Sequence, residues 1–184
     1  QELFMRIQDK QDQKGWSELY KDLIYWEGEL SRANTKEMQE VFDMQKNEAN
    51  TEFNKFIIKN YKSWFTAEGM KEAPLMSHNV LRNKLPKLLK ENKPTFVILI
   101  DNLRFDQWRA IQSFFLNQFR VDEEDTFMSI LPTATQYSRN AIFAGMTPLQ
   151  IQKQFPDKWL NDDDEGGKNM YEEFFLENFL KRTF

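Results

Sequence analysis

The chain has no cysteine, a single histidine, six glycines and six prolines in 184 residues, and no apolar run of bilayer length. Without cysteine there is no disulfide framework and no thiolate metal site, which fits a reducing compartment. A spanning helix needs about 20 apolar residues, so no membrane insertion is expected. The N-terminus also lacks the apolar core of a signal peptide, and the expected location is the cytoplasm. There is no basic excess either. A net charge of −4 argues against broad non-specific binding to nucleic acid, which requires a field that neutralises phosphates. A local basic groove stays open, but no helix carries clustered basic residues at its start, which disfavours sequence-specific DNA binding.

What is plentiful is aromatic. Seventeen Phe and five Trp are enough to fill a real core, in a chain with room for one ordinary domain or two small ones. Residues 3–65 follow a helical period. Trp16, Leu19, Tyr20, Leu23, Ile24 and Trp26 make a broad apolar face on one helix. Asn34-Thr35-Lys36-Glu37 then reads as a capping box, opening a long helix that carries Met38, Val41, Phe42, Met44, Phe53, Phe56, Ile57 and Tyr61. Three antiparallel helices over residues 1–70 are expected, with a spacer or dimerisation bundle as their plain role and Trp16, Leu23, Phe42 and Phe56 inside. Gln1-Glu2-Leu3-Phe4-Met5 starts in mid-pattern and Phe184 ends just after an amphipathic stretch, so the chain reads as a piece of something longer.

Residues 71–184 read differently. A break at Gly69 and Pro74 precedes an amphipathic stretch over 79–91 whose regularity Pro86 limits. Thr95-Phe96-Val97-Ile98-Leu99-Ile100-Asp101 is too short for a helix, is rich in β-branched residues and ends on a carboxylate. Such a run predicts a strand buried on both faces, as in a parallel sheet. A helix over 104–119 should follow, then strands at 119–122 and 126–131, and a helix over 137–144 stopped by Gly145. An acidic loop, Asp162-Asp163-Asp164-Glu165-Gly166-Gly167, leads to a last helix over 170–180. The predicted fold class is therefore α+β by segment, a three-helix bundle followed by part of an α/β domain.

Chemistry in an open α/β sheet gathers at the carboxyl ends of its strands. Asp101 and Thr135 stand at such positions, Thr135 at the entry to a helix. A hydroxyl there faces N–H donors and the positive end of the dipole, which suits attack on an anionic phosphorus centre. An alcohol needs a base or a metal to activate it, and with no histidine nearby a metal held by Asp101 is the more economical source. Each residue also has a plainer role: Asp101 as a cap for the next helix, Thr135 as an N-cap. His78 reads as a loop residue rather than a ligand.

The longer strings carry a resemblance. Ile100-Asp101-Asn102-Leu103-Arg104-Phe105-Asp106 resembles the Asp-Gly-x-Arg strand end of nucleotide phosphodiesterases in the alkaline phosphatase superfamily. Leu131-Pro132-Thr133-Ala134-Thr135, with Ala144-Gly145-Met146-Thr147-Pro148 after it, resembles their Pro-Thr-x-Thr nucleophile segment and its later glycine-proline pair. Together they look like the PglZ domain, in the subgroup of PorX-type response regulators associated with type IX secretion. The specific matches cover residues 95–150.

That resemblance implies an α/β alkaline-phosphatase-like domain with Asp101 as a metal ligand and Thr135 as nucleophile and second ligand. It implies substrate contacts from Asn102 and Arg104, although Arg104 could instead pair with a carboxylate. Asn102 departs from the glycine of the wider family. The implied cofactor is a pair of divalent ions, zinc by family, only half of whose ligands this stretch supplies. The implied reaction is hydrolysis of nucleotide or oligonucleotide phosphodiesters. Implied partners are a receiver domain upstream, a histidine kinase, secretion-system proteins and a second copy in a homodimer. The other reading is a non-catalytic signalling and interaction module.

Overall fold

A computed structural model describes residues 2–9, 11–33, 36–90, 93–161 and 163–184. Among them the helices are α1 (Glu2–Gln8), α2 (Gln13–Ala33), α3 (Lys36–Asn60), α4 (Val80–Leu89), α5 (Phe105–Leu116), α6 (Thr135–Ala144), α7 (Pro148–Gln154) and α8 (Glu172–Thr183). They belong to two units: Gln1–Pro74 with Leu99–Glu124, and Leu75–Ile98 with Asp125–Phe184.

In the first unit α1, α2 and α3 pack on one another. No glycine or proline interrupts α3, so propensity does not oppose its length. Trp16 and Leu19 on α2 and Phe42 on α3 are buried, while Leu23 and Phe56 are half-buried. Trp16 meets the edge of Phe53 at 5.2 Å, and Phe56 reaches Trp64 at 5.8 Å, beyond the end of α3. Such offset and edge-on pairs add to what area burial alone supplies. The apolar stripe is wider than its partners cover: Trp26, Met38, Val41 and Met44 are exposed. The Asn34-Thr35 cap lies outside the described residues. On α2, Tyr20 packs on Phe105 of α5 at 6.0 Å.

The second unit is built on α6 and α8, with α7 and α4 also against α6. Ala144, Met146, Ile151 and Phe175 form its core, with Phe143, Phe155, Trp159 and Phe174 packed around them. Proline 86 lies inside α4, which continues past it to Leu89. Gly145 ends α6 with φ +59°, and a Cβ there would sit 2.5 Å from the Phe179 ring. The glycine is therefore needed twice, for the left-handed turn and for the approach of α8.

The α/β expectation is overturned. No strand forms among the described residues; what exists is a single parallel bridge, Met76 to Met128, with the Met128 N–H donating to the Leu75 carbonyl at 2.8 Å. Residues 95–100, 119–122 and 126–131 are irregular apart from that bridge. The physical reason is partnership. A parallel strand is stable only when neighbours on its edges satisfy its backbone and elements on its faces cover its side chains. No described segment does this for 95–100, where Phe96 is 87% and Ile98 81% exposed. The chain is mostly helical, and an α/β alkaline-phosphatase-like portion is not present as a sheet.

Replacing Phe42 with Asp tests the first unit's packing. It places a carboxylate at a buried site where Lys46, 6.0 Å from the Phe42 ring, is already paired with Glu27, and should cost several kcal/mol. Thermal melting followed by circular dichroism should show a large fall; an unchanged melt would mean that this face of α3 is not the packed one.

Candidate functional site

Asp101, Asn102 and Arg104 are brought together by one turn of the first unit. The Leu103 N–H donates to the Ile100 carbonyl at 3.4 Å, closing four residues with Asp101 and Asn102 in the middle. Asn102 has φ +58°, the one non-glycine residue with positive φ among those described. A turn with positive φ only at its third position accepts glycine or asparagine and few others. Asn102 thus keeps the backbone shape that a glycine would allow, and adds a side chain. Asp101 itself is exposed on this turn.

Arg104 is the N-cap of α5. Its N–H donates to Gln107 Oε1 at 2.9 Å, half of a capping box, since an arginine side chain has no acceptor for the other half. Its guanidinium forks onto Asp106, Nε to Oδ1 at 3.0 Å and Nη2 to Oδ2 at 2.8 Å. Hydrogen bonding from Arg104 holds the Asp106 carboxyl below the usual carboxylate range. The carboxylate partner is therefore the observed role of Arg104, and a substrate contact would have to compete with it.

Thr135 stands in the second unit as the first residue of α6, exposed, after a cis Leu131–Pro132 bond. Its N-cap is Ala134, which has no side-chain acceptor, so the helix start carries no side-chain cap. The dipole of α6 and the N–H groups of its first turn thus end at Thr135, where an anion would be stabilised. The shared sheet rim expected for Asp101 and Thr135 does not exist, because no sheet forms among the described residues.

Several residues that sequence reasoning passed over hold this helix start. Asn169 Nδ2 donates to the Thr135 carbonyl at 3.2 Å and to Asn140 Oδ1 at 3.1 Å; Asn140, buried, donates in turn to the Lys168 carbonyl at 3.0 Å. Lys168 folds the acidic loop inward by donating to the Asp164 carbonyl at 2.6 Å and to that of Asn161. Asp162 lies outside the described residues. Arg139 pairs with Glu172 on α8, and Arg182 donates to the Ala144 carbonyl at 2.7 Å at the far end of α6. On the remaining side, Ser77, Ser129 and Ser138 hydroxyls meet at 2.9–3.0 Å. The spacing of such contacts, 61 residues for Ser77 and Ser138, leaves no local signal to read. His78, half-buried beside them in sequence, is pushed toward its neutral form by burial and then by Arg82.

Asp101 and Thr135 are oxygen donors of the kind a divalent cation takes. Among the described residues, however, no group of three or more His, Cys, Asp or Glu could hold a metal ion. These residues do not by themselves build a two-zinc centre.

Substitution at Asn102 tests the turn. Asn102→Gly should be tolerated, whereas Asn102→Val forces a β-branched residue into the left-handed region and should cost about 1–2 kcal/mol. Urea unfolding measures both; a Val variant as stable as the parent would contradict the turn geometry.

Residues 80–183 match the family model of the BREX system PglZ alkaline phosphatase-like domain. Residues 1–65 match that of the PorX response regulator linker domain. No curated protein matches the chain.

Proposed function

The chain belongs to the PglZ alkaline phosphatase-like family, with a PorX response regulator linker domain ahead of that match, and on that premise we propose that Thr135 is the attacking hydroxyl in hydrolysis of a phosphate ester. The observation that carries the proposal is the placement of Thr135. It is exposed at the uncapped start of α6, inside the matched stretch, where helix N–H groups and dipole favour an anionic phosphoryl group.

The chemistry asked of the chain is simple. Thr135 Oγ forms a bond to phosphorus as the bond to the leaving oxygen breaks, and the Thr135 proton passes through water to that oxygen, which departs as a free alcohol or phenol. A second water then releases the phosphate and restores the hydroxyl. The first turn of α6 holds the phosphoryl oxygens in place while charge moves, so positioning and electrostatics supply the rate. The Asp101–Asn102 turn is proposed to contribute Asp101 as a metal ligand and Asn102 as a substrate contact. Arg104, engaged with Asp106, would reach a substrate only by exchanging that partner. The proposed cofactor is zinc, with Asp101 and Thr135 as two of its ligands and the others beyond the described residues.

A nucleotide-type phosphodiester is the proposed substrate class. The proposed setting is a cytoplasmic response regulator, with a receiver domain, a histidine kinase and secretion-system proteins as partners in type IX secretion. Among the described residues no helix is long and apolar enough to cross a membrane. The linker-domain match and the exposed Tyr25–Trp26 pair, 5.5 Å apart on α2, favour a second reading, an interaction module that works without catalysis or as a homodimer.

Release of nitrophenol from a bis-nitrophenyl phosphate ester, with and without added zinc or manganese, separates the two. Thr135→Val keeps the side-chain shape and removes the hydroxyl, and should abolish turnover by the full-length protein with little change in melting. Turnover retained in Thr135→Val would remove the nucleophile assignment. Absence of turnover in the parent under every metal condition would leave the interaction reading.

A further inference from the structure

The hydroxyls of Ser77, Ser129 and Ser138 can be assigned donors one by one. Ser77 is fully buried and accepts the Ile130 N–H at 3.1 Å. Its own proton then goes to Ser138 Oγ at 3.0 Å, and the Ser138 proton to Ser129 Oγ at 2.9 Å. Ser129 donates to the Ile130 carbonyl at 3.4 Å. Each hydroxyl donates once and accepts once, so the chain of bonds leaves the Ile130 N–H and returns to the Ile130 carbonyl. Ser77 is buried and Ser129 and Ser138 are half-buried, so the circuit is partly shielded from water, and each satisfied member polarises the next.

Its position is what gives it meaning. Ile130 is the buried residue just ahead of the 131–134 turn that delivers Thr135. Ser138 lies three residues after Thr135, on the neighbouring face of the first turn of α6. The Ser138 N–H already donates to the Ala134 carbonyl at 3.0 Å. The circuit therefore ties the two ends of the turn together, and ties both to the segment before α4 through Ser77. The Asn140–Asn169 pair holds the Thr135 carbonyl separately.

Resting on the nucleophile reading above, we propose that Ser138, with Ser77 and Ser129, is the positioning residue of Thr135. The hydroxyl circuit fixes the rotation of the first turn of α6 and so the direction in which Thr135 Oγ is presented. None of the three serines contacts substrate in this account. Their effect is transmitted through the turn. A displacement of the attacking atom of about 1 Å is enough to lower rates by as much as a hundredfold, so loss of one link should register in kcat rather than in KM.

The experiment compares Ser138→Ala, Ser138→Thr and Thr135→Val in the full-length protein. It combines steady-state kinetics on the bis-nitrophenyl ester with amide hydrogen exchange over residues 132–138, well below the melting temperature. Ser138→Ala should lower kcat by about ten- to a hundredfold at unchanged KM and speed exchange in that segment. Ser138→Thr, which keeps the hydroxyl, should restore both. A Ser138→Ala protein that melts lower but keeps its kcat and its exchange pattern would overturn the positioning role, as would failure of Ser138→Thr to rescue a folded protein. Ser77→Ala supplies the same test from the other end of the circuit should Ser138→Ala not fold. Retained turnover in Thr135→Val would count against the nucleophile instead, and the exchange measurement then decides alone whether the circuit holds the turn.

Discussion

The packing of α6 on α8 is the constraint on which the second unit depends. Phe175 and Phe179 are almost wholly buried, and they meet small residues at the end of α6: Ala144 clusters with Phe175, and Gly145 lies against the Phe179 ring. Burying each phenyl ring contributes about 1.5–3 kcal/mol, and the close approach works only because Gly145 has no Cβ to meet Phe179. Once that contact is made, α6 has one orientation. Arg182 then reaches the Ala144 carbonyl and Arg139 reaches Glu172, so polar contacts confirm an orientation that apolar packing sets. Thr135 inherits its position from this. It is exposed, yet it sits at the end of a helix gripped along its length.

The turn at Asp101 is positioned by weaker means. Residues 101–104 are exposed, and α5 beyond them has no fully buried residue. What shapes the turn is local: one backbone hydrogen bond, the positive φ of Asn102, and the caps and forks of Arg104 with Gln107 and Asp106. Exposed ion pairs such as Arg104–Asp106 contribute little to stability, so this turn depends on backbone chemistry rather than on packing. The apolar run before it, with Phe96 and Ile98 facing solvent, exposes more hydrophobic surface than a self-sufficient element would.

That run also marks where sequence reading succeeded and failed. Its composition is that of a central strand, but strand formation is a property of neighbours, and periodicity says nothing of whether they are at hand. The helices were more legible, since an α-helix satisfies its own backbone. The α6 stretch and its stop at Gly145 were readable, although the helix begins at Thr135 rather than Tyr137. Helix α7 was missed even though its signal was present: Thr147-Pro148-Leu149-Gln150 is a capping box with proline at the first turn, and the Thr147 N–H does donate to Gln150 Oε1 at 2.9 Å. Of the candidate site, the motif residues Asp101 and Thr135 are proposals that the sequence alone can name. The serines and asparagines that hold the turn could not, because contacts between residue 77 and residue 138 leave no periodic trace.

Helix α6 is rigidly seated, while the apolar run at 95–100 has no strand partner among the described residues. Native-state hydrogen exchange across the whole chain tests this contrast most directly, since protection tracks the free energy of local opening. Amides from Tyr137 to Gly145 should be among the slowest to exchange, and those of residues 96–100 among the fastest. Strong protection over 96–100, or exchange in α6 as fast as in the acidic loop, would contradict the account.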